Sequence, residues 1–344
     1  MRQARLRGPN LDETAYYHCI SRVVNREFVF GEVEREEFVR LMRVYERFCG
    51  VRVVGYCVMS NHFHVLVGIP PRPEVVPDDE GLLALAKPVF SPQEYGEMVR
   101  KLRLFRAEGA GGEAEALRAG VMRRMWDVSA FMKGLKQRFG GWFNRRVRRK
   151  GTLWEERFKS VLVEAGDALV TMAAYIDLNP LRAGMVGDPS EYRWCSYGAA
   201  MAGEKEALDG LREVMETWEG RKYPGNESLA AYREVLHGAG EEREGGANGE
   251  SGRKGFSAER VKAVLASGGQ LSRAELLRCR VRHFVDGAVI GSEKFVEGVF
   301  GQEKHRFGAA RRRGGKPIQA MEGAPLQSLR DLKSGGVIYG DLCQ

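Results

Sequence analysis

The most constraining feature of the sequence is a pair of β-rich runs, Val51–Met59 and His62–Ile69, separated only by Ser60-Asn61. So short a connection joins neighbouring strands as an antiparallel hairpin, which commits the chain to an antiparallel sheet. Tyr16–Val24 is β-branched and aromatic and reads as an earlier strand. Between them, Phe38, Leu41, Met42, Tyr45 and Phe48 recur at helical spacing and predict an amphipathic helix over Glu34–Cys49. Farther on, Val128, Phe131, Met132, Leu135, Phe139, Trp142 and Phe143 define a second helix, and Phe158–Glu164 reads as another strand. Leu169, Met172, Ala173 and Ile176 form the core face of a third helix, with Asp167 placed to cap it and Asn179-Pro180 to end it. The order strand, helix, strand, strand, helix, strand, helix predicts an α+β fold, an antiparallel sheet with helices packed on it.

All of these elements fall within residues 1–200, where 70–127, weakly helical and interrupted by Gly109-Ala110-Gly111-Gly112, reads as an insertion. Residues 201–237 read as a helical extension and 238–256 as a flexible linker, because Gly238–Gly255 carries almost no apolar side chain. Within a small helical domain at 257–310, Ser257–Ala266 and Arg273–Arg282 form two short helices around Ser267-Gly268-Gly269-Gln270. That pair fits either a DNA-reading helix-turn-helix or ordinary helix packing. Residues 311–344, opening on Arg311-Arg312-Arg313, read as a basic, poorly ordered tail. No apolar run reaches the roughly 18 residues of a membrane span, and Met1–Asn10 is charged, so no membrane association is expected. The six cysteines include no CxxC pair and read as reduced thiols of a cytoplasmic protein.

His62-Phe63-His64 lies on the second strand of the hairpin, so both imidazoles project to one face while Phe63 turns to the other. Two histidines so placed can share a divalent metal; they also fit a plain half-exposed strand. Tyr175 and Asn179 are one helical turn apart, and Tyr175 falls off the apolar stripe of its helix. A tyrosine there serves either as packing with its hydroxyl at the rim or as a nucleophile. His18, on the first strand, fits core or edge packing as well as an approach to the histidine pair.

Several stretches resemble the single-tyrosine HUH transposases, the insertion-sequence-200-like family, and especially its REP-associated tyrosine transposase (RAYT) branch. They are Met59-Ser60-Asn61-His62-Phe63-His64-Val65-Leu66-Val67, Leu153-Trp154-Glu155-Glu156-Arg157-Phe158, Tyr175-Ile176-Asp177-Leu178-Asn179-Pro180-Leu181-Arg182-Ala183-Gly184 and Tyr192-Arg193-Trp194-Cys195-Ser196-Tyr197. Together they cover about Ala15–Ala200 in order. The resemblance implies a ferredoxin-like catalytic domain followed by a small, mostly helical C-terminal appendage. It also implies a metal site of His62, His64 and Asn179 holding Mg²⁺ or Mn²⁺, and Tyr175 as the nucleophile that forms a 5′-phosphotyrosine link. The partners it implies are single-stranded or hairpin DNA and a second copy of the chain as a homodimer. A domesticated hairpin-DNA-binding protein without self-mobility carries the same motifs. A zinc hydrolase is the rival use of the histidine pair, although no further histidine has a convincing zinc spacing.

Charge points the same way. The chain of 344 residues has a net charge of only +8, yet Val121–Ser160 holds twelve basic against three acidic residues. Arg138, Arg145, Arg146, Arg148, Arg149, Lys150 and Arg157 are the expected phosphate contacts. Part of the run also suits a helix C-terminus, where cations oppose the dipole. Trp142, Phe143 and Trp154 flank the cluster and fit base stacking, with core packing the alternative for Trp142 and Phe143.

Overall fold

The computed structural model describes residues 5–237, 283–307, 311–318 and 326–330. The hairpin is present as β2 (Arg52–Val58) and β3 (His62–Ile69), antiparallel with a register shift between Val53 and Gly55. β1 (Ala15–Arg22) pairs with the other side of β3, and β4 (Lys159–Val163) with the far side of β1, both antiparallel. The order β2-β3-β1-β4 is the ferredoxin-like arrangement in an α+β fold. The interiors of β1 and β3 are buried on both faces, so these strands read as continuous rather than alternating apolar runs.

Helices cover both sides. α1 (Glu32–Cys49) and α5 (Val128–Arg146) pack on the face that carries Phe63: the Phe38 ring lies 4.5 Å from Phe63 and 5.4 Å from Phe139. These helices approach closely at Gly134, where a Cβ would stand 2.3 Å from the Tyr45 ring. Between β3 and α5, the insertion forms α2 (Asp79–Ala86), α3 (Pro92–Ala107) and α4 (Gly111–Met122). A capping box of Ser91 and Glu94 starts α3, and Arg118 and Arg106 both pair with Asp79 and Glu115. The break before α4 lies at Gly109 (φ 69°), and the helix resumes inside the glycine run.

α6 (Asp167–Asp177) covers the opposite face, with α7 (Asn179–Arg182), α8 (Ser196–Met201), α9 (Lys205–Glu219) and α10 (Glu227–His237) following. One sequence expectation is corrected here. The N-cap of α6 is Gly166 (φ 85°), not Asp167, whose carboxylate instead accepts a bond from the Trp218 indole at 2.9 Å. α6 does end just before Asn179-Pro180, and a separate short helix follows, with Pro180 in the first turn of α7, where its missing N–H costs nothing.

The C-terminal segment adds strands as well as helices. α11 (His283–Asp286) leads into β5 (Val289–Gly291), which lies parallel to β4; then come α12 (Glu293–Gln302), β6 (Lys316–Pro317) and β7 (Gln327–Leu329). The sheet thereby reaches seven strands, in the order β2-β3-β1-β4-β5-β7-β6. Residues 311–318 and 326–330, read from sequence as part of a basic, poorly ordered tail, are instead held by buried Ile318, Leu326 and Leu329. The linker at 238–256 and the paired helices Ser257–Ala266 and Arg273–Arg282 lie outside the described residues. No described helix is long and apolar enough to cross a membrane.

Candidate active site

Strand register decides which side chains share the face beneath α6. His64 is opposite Ile20 and His62 opposite Arg22 on β1, while Lys159 on β4 is opposite Ile20. Paired residues project to the same face, so His62, His64, His18, Arg22 and Lys159 all face α6. The rings of His62 and His64 are 5.1 Å apart and nearly perpendicular. Each is tied at Nδ1. His62 meets Asn61 Oδ1 at 2.7 Å, and Asn61 Nδ2 in turn donates to the Arg26 carbonyl at 3.1 Å. His64 meets His18 Nε2 at 2.9 Å, and His18 Nδ1 meets the Phe284 carbonyl at 2.9 Å.

His18 is fully buried and His64 only 3 % exposed. Burial pushes His18 down to about 4. Burial, followed by the neighbouring charges of His18, His62, Arg182 and Arg22, holds His64 well below the usual imidazole range. Both rings are therefore neutral at pH 7, the state in which an imidazole can ligate a metal.

Every residue from Ala168 to Asp177 is buried, so α6 has no exposed rim. Tyr175 is 4 % exposed and stands edge-on to both His64 (6.3 Å between ring centres) and His18 (6.4 Å). The Phe284 ring lies 4.7 Å from it, and the Arg182 guanidinium 4.2 Å from its ring centre. Arg182 also donates to the Tyr175 carbonyl. Asn179 is half-buried, and its Nδ2 donates to the carbonyls of Tyr175 (3.3 Å) and Ile176 (3.1 Å). No hydrogen bond joins it to either histidine among the described residues, and no group of three His, Cys, Asp or Glu there is arranged around an ion. Two residues against Tyr175, Arg182 and Phe284, and one beside the histidine pair, Arg22, were missed from sequence. Arg182 is seven positions after Tyr175 and so on its helical face; Arg22 follows from strand register; Phe284 carried no signal.

The basic cluster lies elsewhere. α5 packs on the Phe63 face, opposite Tyr175; Arg145 and Arg146 at its C-terminus and Arg148 and Lys150 just beyond it are exposed, as are Arg138 and Arg157. Arg146 pairs with Glu34 at 3.2 Å, and Arg149 donates to the Thr152 carbonyl at 2.8 Å. Arg138, Arg145, Arg148, Lys150 and Arg157 make no side-chain hydrogen bond or ion pair among the described residues. From there the chain rounds the end of the sheet, where Glu155 N–H donates to the Arg22 carbonyl at 3.0 Å, and reaches Lys159 on the Tyr175 face. Lys136, one of the twelve basic residues, is only 7 % exposed: it donates to the Glu156 carbonyl and lies 5.2 Å over Trp154. Trp154, Trp142 and Phe143 all pack against Phe139; Phe143 is buried in the core, while the two tryptophans are half-buried.

Residues 12–77, from the approach to β1 to beyond β3, match the family model described as "Transposase IS200 like". The match contains His62 and His64 but ends before Tyr175. A solved structure described as "Structure of the REP associates tyrosine transposase bound to a REP hairpin" is similar at 12 % identity and a TM-score of 0.35, over 59 % of this chain and 86 % of that chain. No curated protein matches the sequence.

Proposed function

We propose that this chain, with its IS200-like transposase segment, cuts and rejoins single-stranded or hairpin DNA through Tyr175. The observation that carries this reading is the edge contact between Tyr175 and His64, which sets a phenol against the histidine pair of β3. The phenolic oxygen attacks the scissile phosphorus and the bond to the 3′ oxygen breaks. A 5′-phosphotyrosine link and a 3′-hydroxyl result, the phenolic proton ending on the leaving oxygen. Attack by another 3′-hydroxyl reverses the step, and no ATP is consumed because one phosphodiester is exchanged for another.

A free phenol has a pKa near 10 and is a weak nucleophile at neutral pH, so the site has to favour the charge that develops. Arg182 beside the Tyr175 ring and Arg22 opposite His62 supply positive charge. The donor set also fits a divalent metal: the imidazoles of His62 and His64 share one strand face, with ring centres 5.1 Å apart. His62 and His64, with Asn179 as the third ligand, would hold Mg²⁺ or Mn²⁺, which when bound neutralises and orients the scissile phosphate. Asn179 must then turn its carboxamide oxygen to the ion while its nitrogen keeps the helix end. Exposed Arg138, Arg145, Arg148, Lys150 and Arg157 would follow the DNA backbone around the sheet end towards Lys159. The family resemblance supports a homodimer as the working unit, which light scattering tests.

The experiment incubates the full chain with labelled single-stranded hairpin DNA and Mg²⁺ and resolves the products on a denaturing gel. A protein-linked band that disappears in Tyr175→Phe and weakens strongly in His62→Ala supports the reading. Cleavage that survives Tyr175→Phe overturns it in favour of hydrolysis.

A further inference from the structure

We infer that His18 is a positioning residue that fixes His64 in the tautomer with its lone pair on Nε2. The argument starts from the Phe284 carbonyl, which can only accept a hydrogen bond. His18 Nδ1, 2.9 Å from it, must therefore carry a proton. His18 is fully buried and its polar partners are that carbonyl and His64, with no carboxylate hydrogen-bonded to it among the described residues to balance a second proton. A buried, unpaired imidazolium is costly, so the ring is neutral and its Nε2 accepts. The proton shared at 2.9 Å then belongs to His64 Nδ1. A neutral imidazole carries one such proton, which leaves His64 Nε2 as the basic nitrogen.

The neighbouring histidine is held by the same kind of chain. Asn61 Nδ2 donates to the Arg26 carbonyl, so its Oδ1 is the atom facing His62 Nδ1 at 2.7 Å. Both imidazoles of the His62-Phe63-His64 run are thus tied at Nδ1, each through one side chain to a backbone carbonyl. Such outer contacts set ring orientation and the identity of the ligating nitrogen. For His64 the end of the chain is supplied by α11, so the C-terminal segment takes part in aligning a residue of β3.

The prediction about metal affinity rests on the metal reading above; the tautomer itself does not. The metal-free wild-type protein, labelled with ¹⁵N-histidine, is examined by long-range ¹⁵N–¹H correlation at neutral pH. His18 and His64 are both expected as Nδ1–H tautomers, and an Nε2–H form of His64 overturns the inference whether or not any variant folds. Mn²⁺ titration without DNA, followed by electron paramagnetic resonance, gives the second arm. His18→Phe is expected to weaken Mn²⁺ binding by about 10- to 100-fold, and His18→Gln, whose amide oxygen can accept from His64, to recover most of it. Unchanged Mn²⁺ affinity in a folded His18→Phe protein overturns the positioning role. The tautomers found as expected in a protein that forms no DNA adduct would sink the nuclease reading and leave this one intact.

Discussion

Asp177 lies two residues beyond Tyr175 and is fully buried. Its carboxylate accepts from Ser196 Oγ at 2.7 Å, the Tyr197 N–H at 3.0 Å and the Tyr232 hydroxyl at 2.7 Å. The nucleophile helix is thereby anchored to α8 and α10. Burial still pushes this carboxyl up from 3.8 to about 6, so the donors only partly offset the cost of a buried charge. Asp177→Ala strands three buried donors, at about 1–3 kcal/mol each, and regains about 3 kcal/mol from the missing charge. The net cost is about 3 kcal/mol, with loss of Tyr175 alignment and of the adduct. Asp177→Asn keeps the volume and the acceptor facing Ser196 and Tyr197, so it costs within about 1 kcal/mol at pH 7.5. The sign of the pH effect follows from linkage. With the folded pKa above the unfolded one, Asp177 favours the fold most below pH 4, and that contribution falls by about 3 kcal/mol as pH rises from 4 through 6. Urea unfolding of wild type and Asp177→Asn from pH 4.5 to 8 measures it, since other titrating groups cancel in the difference. A difference that is flat across this range, or an Asp177→Ala cost below about 1 kcal/mol, refutes the reasoning.

His18 works in the opposite direction: its pKa, depressed to about 4, gives stability present above 6.5 and lost as pH falls towards 4, about 3 kcal/mol in all. Acid unfolding should therefore be steeper in Asp177→Asn than in wild type; an equally shallow acid limb contradicts this. Replacing Arg145, Arg148 and Lys150 by Ala should weaken binding to all DNA and lower the slope of log affinity against log salt by about 2 to 3; an unchanged slope removes the cluster from the footprint. Lys136→Met should leave that slope as it is, because burial over Trp154 pushes Lys136 down to about 8 and keeps it from phosphate; a reduced slope would place it in the footprint after all.

What the sequence made legible was local. Two residues between β-rich runs specify a hairpin, and period-two alternation puts His62 and His64 on one side whatever surrounds them. The apolar spacing of α1 and α5 survives because each presents a single face to the sheet. α6 defeats the same reasoning: it is covered on every side, so the notion of an off-stripe Tyr175 loses its meaning. The cap of α6 was misread because a left-handed Gly166 turns the chain without a side-chain bond. Arg22 needed the register of β1 against β3, and Phe284 meets His18 across 266 positions of sequence. Lys136 counted as one more cation until its Trp154 neighbour was visible. Charge, by contrast, was localised correctly to 121–160, although α5 carries much of it on the face away from Tyr175.

The central claim is that Tyr175 itself becomes joined to DNA. Full-length protein incubated with hairpin DNA and Mg²⁺, digested with trypsin and nuclease and analysed by mass spectrometry, tests it most directly. The account predicts a 5′-phosphonucleotide on the peptide containing Tyr175, a free 3′-hydroxyl on the released strand, and neither product with EDTA. A nucleotide on another residue, or cleaved DNA with no protein attached, contradicts it.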